Sequence, residues 1–156
     1  MKTLLSSAIG IAFLAGPAFA QTSKNDVVDF GEPKPLTIVT SEGSHEFLVD
    51  EAKTDAQQSR GMMFRETMGE DTGMIFEFAE PKIATIWMKN TSIPLDILFV
   101  RSNGKILKIE HSHKPYTLRS TSSEAVIAGV VELKGGESKR RGIRPGDTVK
   151  HPFFGN

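Results

Sequence analysis

The chain has 156 residues, no cysteine, and 19 basic against 19 acidic side chains. In an oxidising compartment the lack of cysteine excludes disulfides and thiolate metal sites, so packing alone must hold the fold. The balanced charge gives a phosphate-binding surface no support, and no nucleic-acid partner is expected.

Residues 1–20, MKTLLSSAIGIAFLAGPAFA, combine Lys2, an apolar run from Ala8 to Ala15 and the small-residue pattern Ala18-Phe19-Ala20. This predicts a secretory signal peptide cleaved after Ala20, and hence a periplasmic or extracellular protein. The apolar run falls short of the ~20 residues a span needs, and no later segment reaches that length, so no membrane span is expected after cleavage. Residues 21–35 are polar and punctuated by Gly31, Pro33 and Pro35, which predicts a mobile leader. The segment 36–151 has the size of one domain with its own core.

From Leu36 the pattern alternates. Leu36, Ile38 and Thr40, then Phe47 and Val49 beyond the turn residues Glu42-Gly43-Ser44, predict a hairpin. Thr54-Asp55-Ala56-Gln57 is a capping box and Gly61 a stop, so a short helix is expected over Asp55 to Arg60. Met74 to Phe78 reads as a strand with Met74, Phe76 and Phe78 on one face. Ile83 to Asn90 alternates too, placing Thr85, Trp87 and Lys89 on one face and Ile86, Met88 and Asn90 on the other. Leu95 to Val100 is an apolar strand, Asn103-Gly104 predicts a two-residue type I′ turn, and Lys105 to His113 returns as its partner. Val126 to Leu133 is a further strand, Glu137 to Arg141 one helical turn, and Thr148 to His151 a last strand after the turn Arg144-Pro145-Gly146-Asp147. The fold class expected is mainly β: a compact barrel or sandwich of short, mostly antiparallel strands with one or two short helices.

The segments RGMMFR (60–65), TGMIFEF (72–78), WMKNTSIPLDILFV (87–100), VVEL with its following glycine pair (130–136) and RPGD (144–147) occur in an order that resembles the domain-of-unknown-function 192 family. The resemblance runs from about Phe47 to Val149. It implies a compact, barrel-like, mainly β domain, often secreted, and no established activity.

The decapeptide WMKNTSIPLD, Trp87 to Asp96, holds the only tryptophan. As a ligand site it would set an indole plane beside the cation of Lys89, with Asn90, Thr91 and Asp96 able to fix a polar or saccharide-like ligand by directed hydrogen bonds. As architecture, Asn90 and Thr91 would cap a turn, Pro94 would fix it, and Asp96 would accept backbone amides. The two readings separate: a binding site wants Trp87 exposed beside Lys89 in a concavity, whereas architecture wants Trp87 buried and Asp96 satisfied by amides.

A two-residue loop at Asn103-Gly104 would put Asp96 opposite His111, half of a hydrolytic site, although no serine stands in a G-x-S-x-G or S-x-x-K context. His111-x-His113 and the methionines would suit copper, but Met62, Met63, Met74 and Met88 sit among phenylalanine and isoleucine, the setting of core filler. Lys139-Arg140-Arg141 with Arg144 reads as a solvated helix end. The expectation is therefore a monomeric, secreted domain without cofactor or metal that binds a small polar or carbohydrate ligand at Trp87, Lys89, Asn90, Thr91, Asp96 and His111. An envelope accessory domain with a protein partner is the alternative, and a hydrolase using Asp96 and His111 the third.

Overall fold

Alternation in the first strands produces the expected hairpin in the computed structural model, which describes residues 23–156. The expected signal peptide lies outside the described residues. Strand β1 (Lys34–Thr40) pairs antiparallel with β2 (Gly43–Ala52), Leu36 facing Phe47, and both side chains are buried. Ahead of β1, Phe30 packs against the core and the Asp29 carbonyl accepts from Gln57 Nε2 at 2.8 Å.

Helix α1 (Asp55–Arg60) starts where its capping box predicts: Thr54 Oγ1 accepts from the Gln57 amide at 3.2 Å, and Gln57 Oε1 accepts from the Thr54 amide at 3.0 Å. Gly61 ends it with φ +46°, against the Phe76 ring. The chain continues through β3 (Thr72–Lys82), β4 (Thr85–Ile86), β5 (Leu95–Val100), β6 (Ile106–His113), β7 (Thr121–Ser122), β8 (Ile127–Lys134), α2 (Glu137–Arg140), β9 (Thr148–Lys150) and a 3-10 turn, Pro152–Phe154.

The protein is mainly β, as expected. Seven strands form one sheet in the order β6-β5-β8-β3-β2-β1-β9, antiparallel except for the parallel β2–β3 pair, while β4 and β7 make a small second sheet. The large sheet curls until its two edges meet: Lys105 bridges Thr148, the Ile106 amide donates to the Asp147 carbonyl, and the Val149 amide donates to the Gly104 carbonyl. Closing the curl leaves fewer unpaired edge groups for another chain to pair with.

At the centre of this sheet, in β3, β5 and β8, both faces are buried and largely apolar. Leu98 and Val100 of β5 join a cluster inside the curl with Leu36, Ile75 and Val131, whereas Leu95, Ile97 and Phe99 point the other way. That outer face is covered by Met62 after α1 and by Ala84, Met88 and Ile93 around the small sheet. Period-two alternation explains the split, and an element buried on both sides reads as the continuous apolar run seen in Leu95–Val100.

Two expectations fail locally. The Asn103-Gly104 turn is not type I′, which needs positive φ at both residues; only Gly104 has it, at +77°. The Gly104 amide donates to the Arg101 carbonyl and the Arg101 amide to the Lys105 carbonyl, both at 2.9 Å, giving a three-residue loop with glycine in the left-handed region. Glycine is required there for a second reason: a Cβ would stand 2.6 Å from the Val149 carbonyl oxygen of the closing strand. The strand expected over Ile83 to Asn90 is also cut short. Only Thr85 and Ile86 find partners, in Ser122 and Thr121, and the chain then turns, with Asn90 at φ +54°.

Candidate functional site

Strand β8 places Glu132 on the outer face of the large sheet, across from Met74 and Ile97 and two residues from Val130. Its neighbours on that face are apolar, and its side chain is buried, with Oε2 lacking any hydrogen-bond partner among the described residues. Burial pushes its carboxyl up to about 8, with the Arg65 guanidinium opposing, so at neutral pH it holds its proton. Arg65 itself is engaged by Asp50 at 2.6 Å.

Glu132 lines a cavity of about 780 Å³. Met62, Phe76, Phe78 and Leu95 form its buried apolar wall. Arg60, Lys82 and Lys89 stand at its partly open side with Trp87, which is 50% exposed. Lys89 Nζ lies 5.3 Å from the Trp87 ring centroid, a cation–π contact. The turn that holds them is a network of its own. The Thr91 amide donates to the Met88 carbonyl, Thr91 Oγ1 donates to the Lys89 carbonyl at 3.1 Å, and the Asn90 carbonyl accepts from the Phe64 amide at 2.8 Å. Trp87, Lys89, Asn90 and Thr91 therefore border one cavity, whereas Asp96 and His111 lie away from it.

Asp96 is fully buried and satisfied. Its Oδ1 accepts from the amides of Ser112 (2.7 Å) and Gly136 (3.0 Å), and its Oδ2 from the amide (2.8 Å) and hydroxyl (2.5 Å) of Ser138. It ties β5 to β6 and to the start of α2. The expected juxtaposition with His111 is altered by a bulge: Leu95 faces His113 while Ile97 faces Glu110, so two residues oppose Asp96, and Ser112 adopts φ +46°. His111 Nδ1 meets Ser138 Oγ at 2.9 Å. Since that hydroxyl gives its proton to Asp96, it accepts from the imidazole, and serine stands between acid and base rather than at the end of a relay. His113 turns elsewhere, its Nε2 3.2 Å from the Arg119 carbonyl.

Two members of the basic run near α2 are paired with carboxylates. Arg140 and Arg141 both reach Glu137, and Arg141 also pairs with Asp71 at 2.5 Å. Hydrogen bonding from Arg140 holds the Glu137 carboxyl below its usual range.

Glu51, Glu77 and His151 bring their ligand atoms within 4.8 Å of one another, the arrangement that could hold an ion. His151 Nδ1 accepts from the Phe153 amide at 3.3 Å, so a neutral ring carries its proton on Nε2, which faces Glu51 Oε1 at 3.4 Å. Lys53 Nζ, 2.9 Å from Glu51 Oε2, supplies the positive charge. Burial pushes the Glu77 carboxyl up to about 7, with Glu51 adding to the rise, and lowers the His151 imidazole. The buried His151 Nε2 has no hydrogen-bond partner among the described residues.

The pattern of the DUF192 family, described as an uncharacterized ACR, matches residues 37–151. The chain belongs to the DUF192 family. No curated protein matches its sequence. Among solved structures it is similar to a protein described as a candidate transcription regulator from Sinorhizobium meliloti 1021, at 34% identity and a TM-score of 0.78, over 82% of this chain and 99% of that one. It is also similar to a protein of unknown function from Novosphingobium aromaticivorans DSM 12444, at 39% identity and a TM-score of 0.75, over 76% and 85% of the two chains.

The segments RGMMFR, TGMIFEF and WMKNTSIPLD and the more distant VVEL all contribute to the cavity: Arg60 and Met62, Phe76, Trp87 and Lys89, and Glu132. Glu132 is the residue that sequence reasoning missed. The signal was present, a lone acid inside the apolar run Ile127–Leu133, which a β-strand buried on both faces cannot send to solvent.

Proposed function

We propose that this DUF192 protein is a small-ligand-binding module acting outside the cytoplasm, and that the cavity between Trp87 and Glu132 takes a small polar or saccharide-like molecule. The observation that carries the reading is the buried carboxyl of Glu132, its Oε2 without a hydrogen-bond partner among the described residues, beside the apolar wall of a cavity with an exposed tryptophan on its rim. A buried polar group left unsatisfied costs about 1–3 kcal/mol, so a leucine in this position would serve stability better. A protonated carboxyl both donates and accepts, and it is suited to a hydroxyl or carbonyl entering the cavity. A volume of about 780 Å³ lies within the range of small-molecule sites. The Trp87 face offers the apolar platform on which a sugar ring stacks.

The test is thermal unfolding of the protein with a panel of monosaccharides, oligosaccharides and cell-wall fragments, followed in parallel by the emission of Trp87. A ligand at 100 times its dissociation constant adds about 2.7 kcal/mol of stability. Loss of that shift in a folded Trp87→Ala or Glu132→Gln variant supports the reading; no shift and no emission change across the panel removes it.

A second reading, an accessory domain with a protein partner, draws on one observation. Ile83, Trp87 and Leu118 are 60%, 50% and 67% exposed, and Trp87 and Leu118 share a smaller concavity with Thr85 and Ser120. In that reading Leu118→Ser weakens the partner complex while leaving any small-ligand response of Trp87 intact. Catalysis by Asp96 and His111 has no comparable support, because Ser138 separates them.

A further inference from the structure

We propose that the molecule taken up by this cavity carries an anionic group, a carboxylate or a phosphate, which docks on Arg60, Lys82 and Lys89. The inference rests on the ligand-binding reading above and assigns the chemical class of that ligand.

The three cations come from separate parts of the chain: the last residue of α1, the last residue of β3, and the turn after β4. All three line the one cavity. Among the described residues none of them has a carboxylate within ion-pair distance, unlike Lys53, Arg65 or Arg141. Other cations such as Lys105, Arg144 and Lys150 are also without an ion pair among the described residues, so what sets these three apart is that they converge on one cavity.

Each cation is instead held over an aromatic ring: Arg60 over Phe64 at 4.6 Å, Lys82 over Phe78 at 4.2 Å, and Lys89 over Trp87 at 5.3 Å. Arg60 also donates to the Ser23 carbonyl at 2.5 Å. A cation–π contact orients an ammonium or guanidinium without neutralising it. The charges are therefore steadied and left uncompensated.

No acid answers them from within. Glu132 is the one carboxyl among the described lining residues, and burial keeps it protonated at neutral pH. The lining then presents three positive charges and no negative one, against apolar walls that concentrate the field. Such a mouth repels cations and attracts anions, and either a carboxylate or a phosphate satisfies guanidinium and ammonium donors. The geometry sorts one ligand by parts: its anionic group at the cations, its apolar or sugar face on Trp87, and a neutral hydroxyl or carbonyl toward Glu132.

Because Trp87 is the only tryptophan, its emission reports the site directly. The protein is titrated at pH 7 and low ionic strength with glucose, glucuronate and glucose 6-phosphate, with calorimetry in parallel. The expected result is binding of an anionic sugar at least five-fold tighter than glucose, an advantage that shrinks with added salt. Lys82→Gln and Lys89→Gln, whose folding is checked by thermal unfolding, should each weaken the anion by about three-fold more than they weaken glucose. Preference for glucuronate assigns a carboxylate, and preference for glucose 6-phosphate a phosphate. Equal binding of glucose and both anions, unchanged in the lysine variants, overturns the anionic assignment and leaves the ligand-binding reading standing. No response to any of the three overturns the anionic assignment, and silence across the wider panel as well removes the ligand-binding reading with it.

Discussion

Asp96 and Ser138 are joined twice: one carboxylate oxygen of Asp96 receives both the amide of Ser138, at 2.8 Å, and its hydroxyl, at 2.5 Å. With the Ser112 and Gly136 amides on the other oxygen, the buried carboxylate closes the junction of β5, β6 and α2. In Asp96→Asn an NH2 group replaces one oxygen and faces N–H donors that it cannot accept. The expected loss is about 3 kcal/mol, since charged hydrogen bonds are removed and buried donors are left unpaired. Urea unfolding measures it, and a loss under about 1 kcal/mol would mean that the junction does not depend on this charge. Ser138→Ala, which removes only the hydroxyl, should cost less.

Glu132 makes stability depend on pH in a definite direction. Its folded-state value, about 8, lies above the ordinary carboxyl range, so the folded protein binds the proton more tightly than the unfolded chain. That contribution is complete below the unfolded value and is lost as pH rises through about 8. Glu77, pushed up to about 7, acts in the same direction at lower pH, while His151, lowered by burial, acts oppositely, below its ordinary range. The interval from about pH 7 to 9 therefore belongs mainly to Glu132, where stability should fall by roughly 1.4 kcal/mol. Glu132→Gln should flatten this interval in urea unfolding, and an unchanged slope would show that the carboxyl is already ionised at neutral pH.

Replacing the same residue by leucine separates stability from ligand response. Glu132→Leu removes a buried carboxyl whose Oε2 has no partner among the described residues and should raise stability at pH 7 by about 1 kcal/mol. It should also abolish the ligand-induced shift of the unfolding midpoint. A destabilised Glu132→Leu would instead mean that the carboxyl supports the fold.

The cap of α1 is a local contribution of a different kind. Thr54→Ala loses the hydroxyl that accepts from the Gln57 amide, at an expected cost of about 1 kcal/mol. Because α1 carries Gln58, Ser59 and Arg60 along one side of the cavity, fraying it should also weaken ligand binding. Restoring the cap with Thr54→Ser should recover most of both effects, and thermal unfolding with and without ligand tests this.

Closure of the sheet can be tested at Gly104. An alanine there meets both a left-handed backbone, φ +77°, and the Val149 carbonyl 2.6 Å from its Cβ. Gly104→Ala should cost about 2 kcal/mol or more, beyond the ~1 kcal/mol expected from backbone conformation alone. A smaller loss in thermal unfolding would show that the edge between Lys105 and Thr148 gives way easily.

Sequence by itself determined the mainly β class, the α1 capping box, the span of β5 and the family, because period-two alternation, side-chain caps and glycine stops act over a few residues. It also predicted that Trp87 and Lys89 share a face; the structure places their side chains together at the cavity. Only the tertiary structure decided what depends on distant partners. The Asn103-Gly104 turn took its form in contact with β9, more than forty residues later. The strand around Trp87 shortened because only Thr85 and Ile86 found partners in β7. Asp96, legible as either ligand or architecture, was claimed by amides from β6 and α2. Glu132 acquired its character only when β5 and β3 enclosed β8: burial among apolar neighbours, not local sequence, keeps its proton and turns it into the cavity.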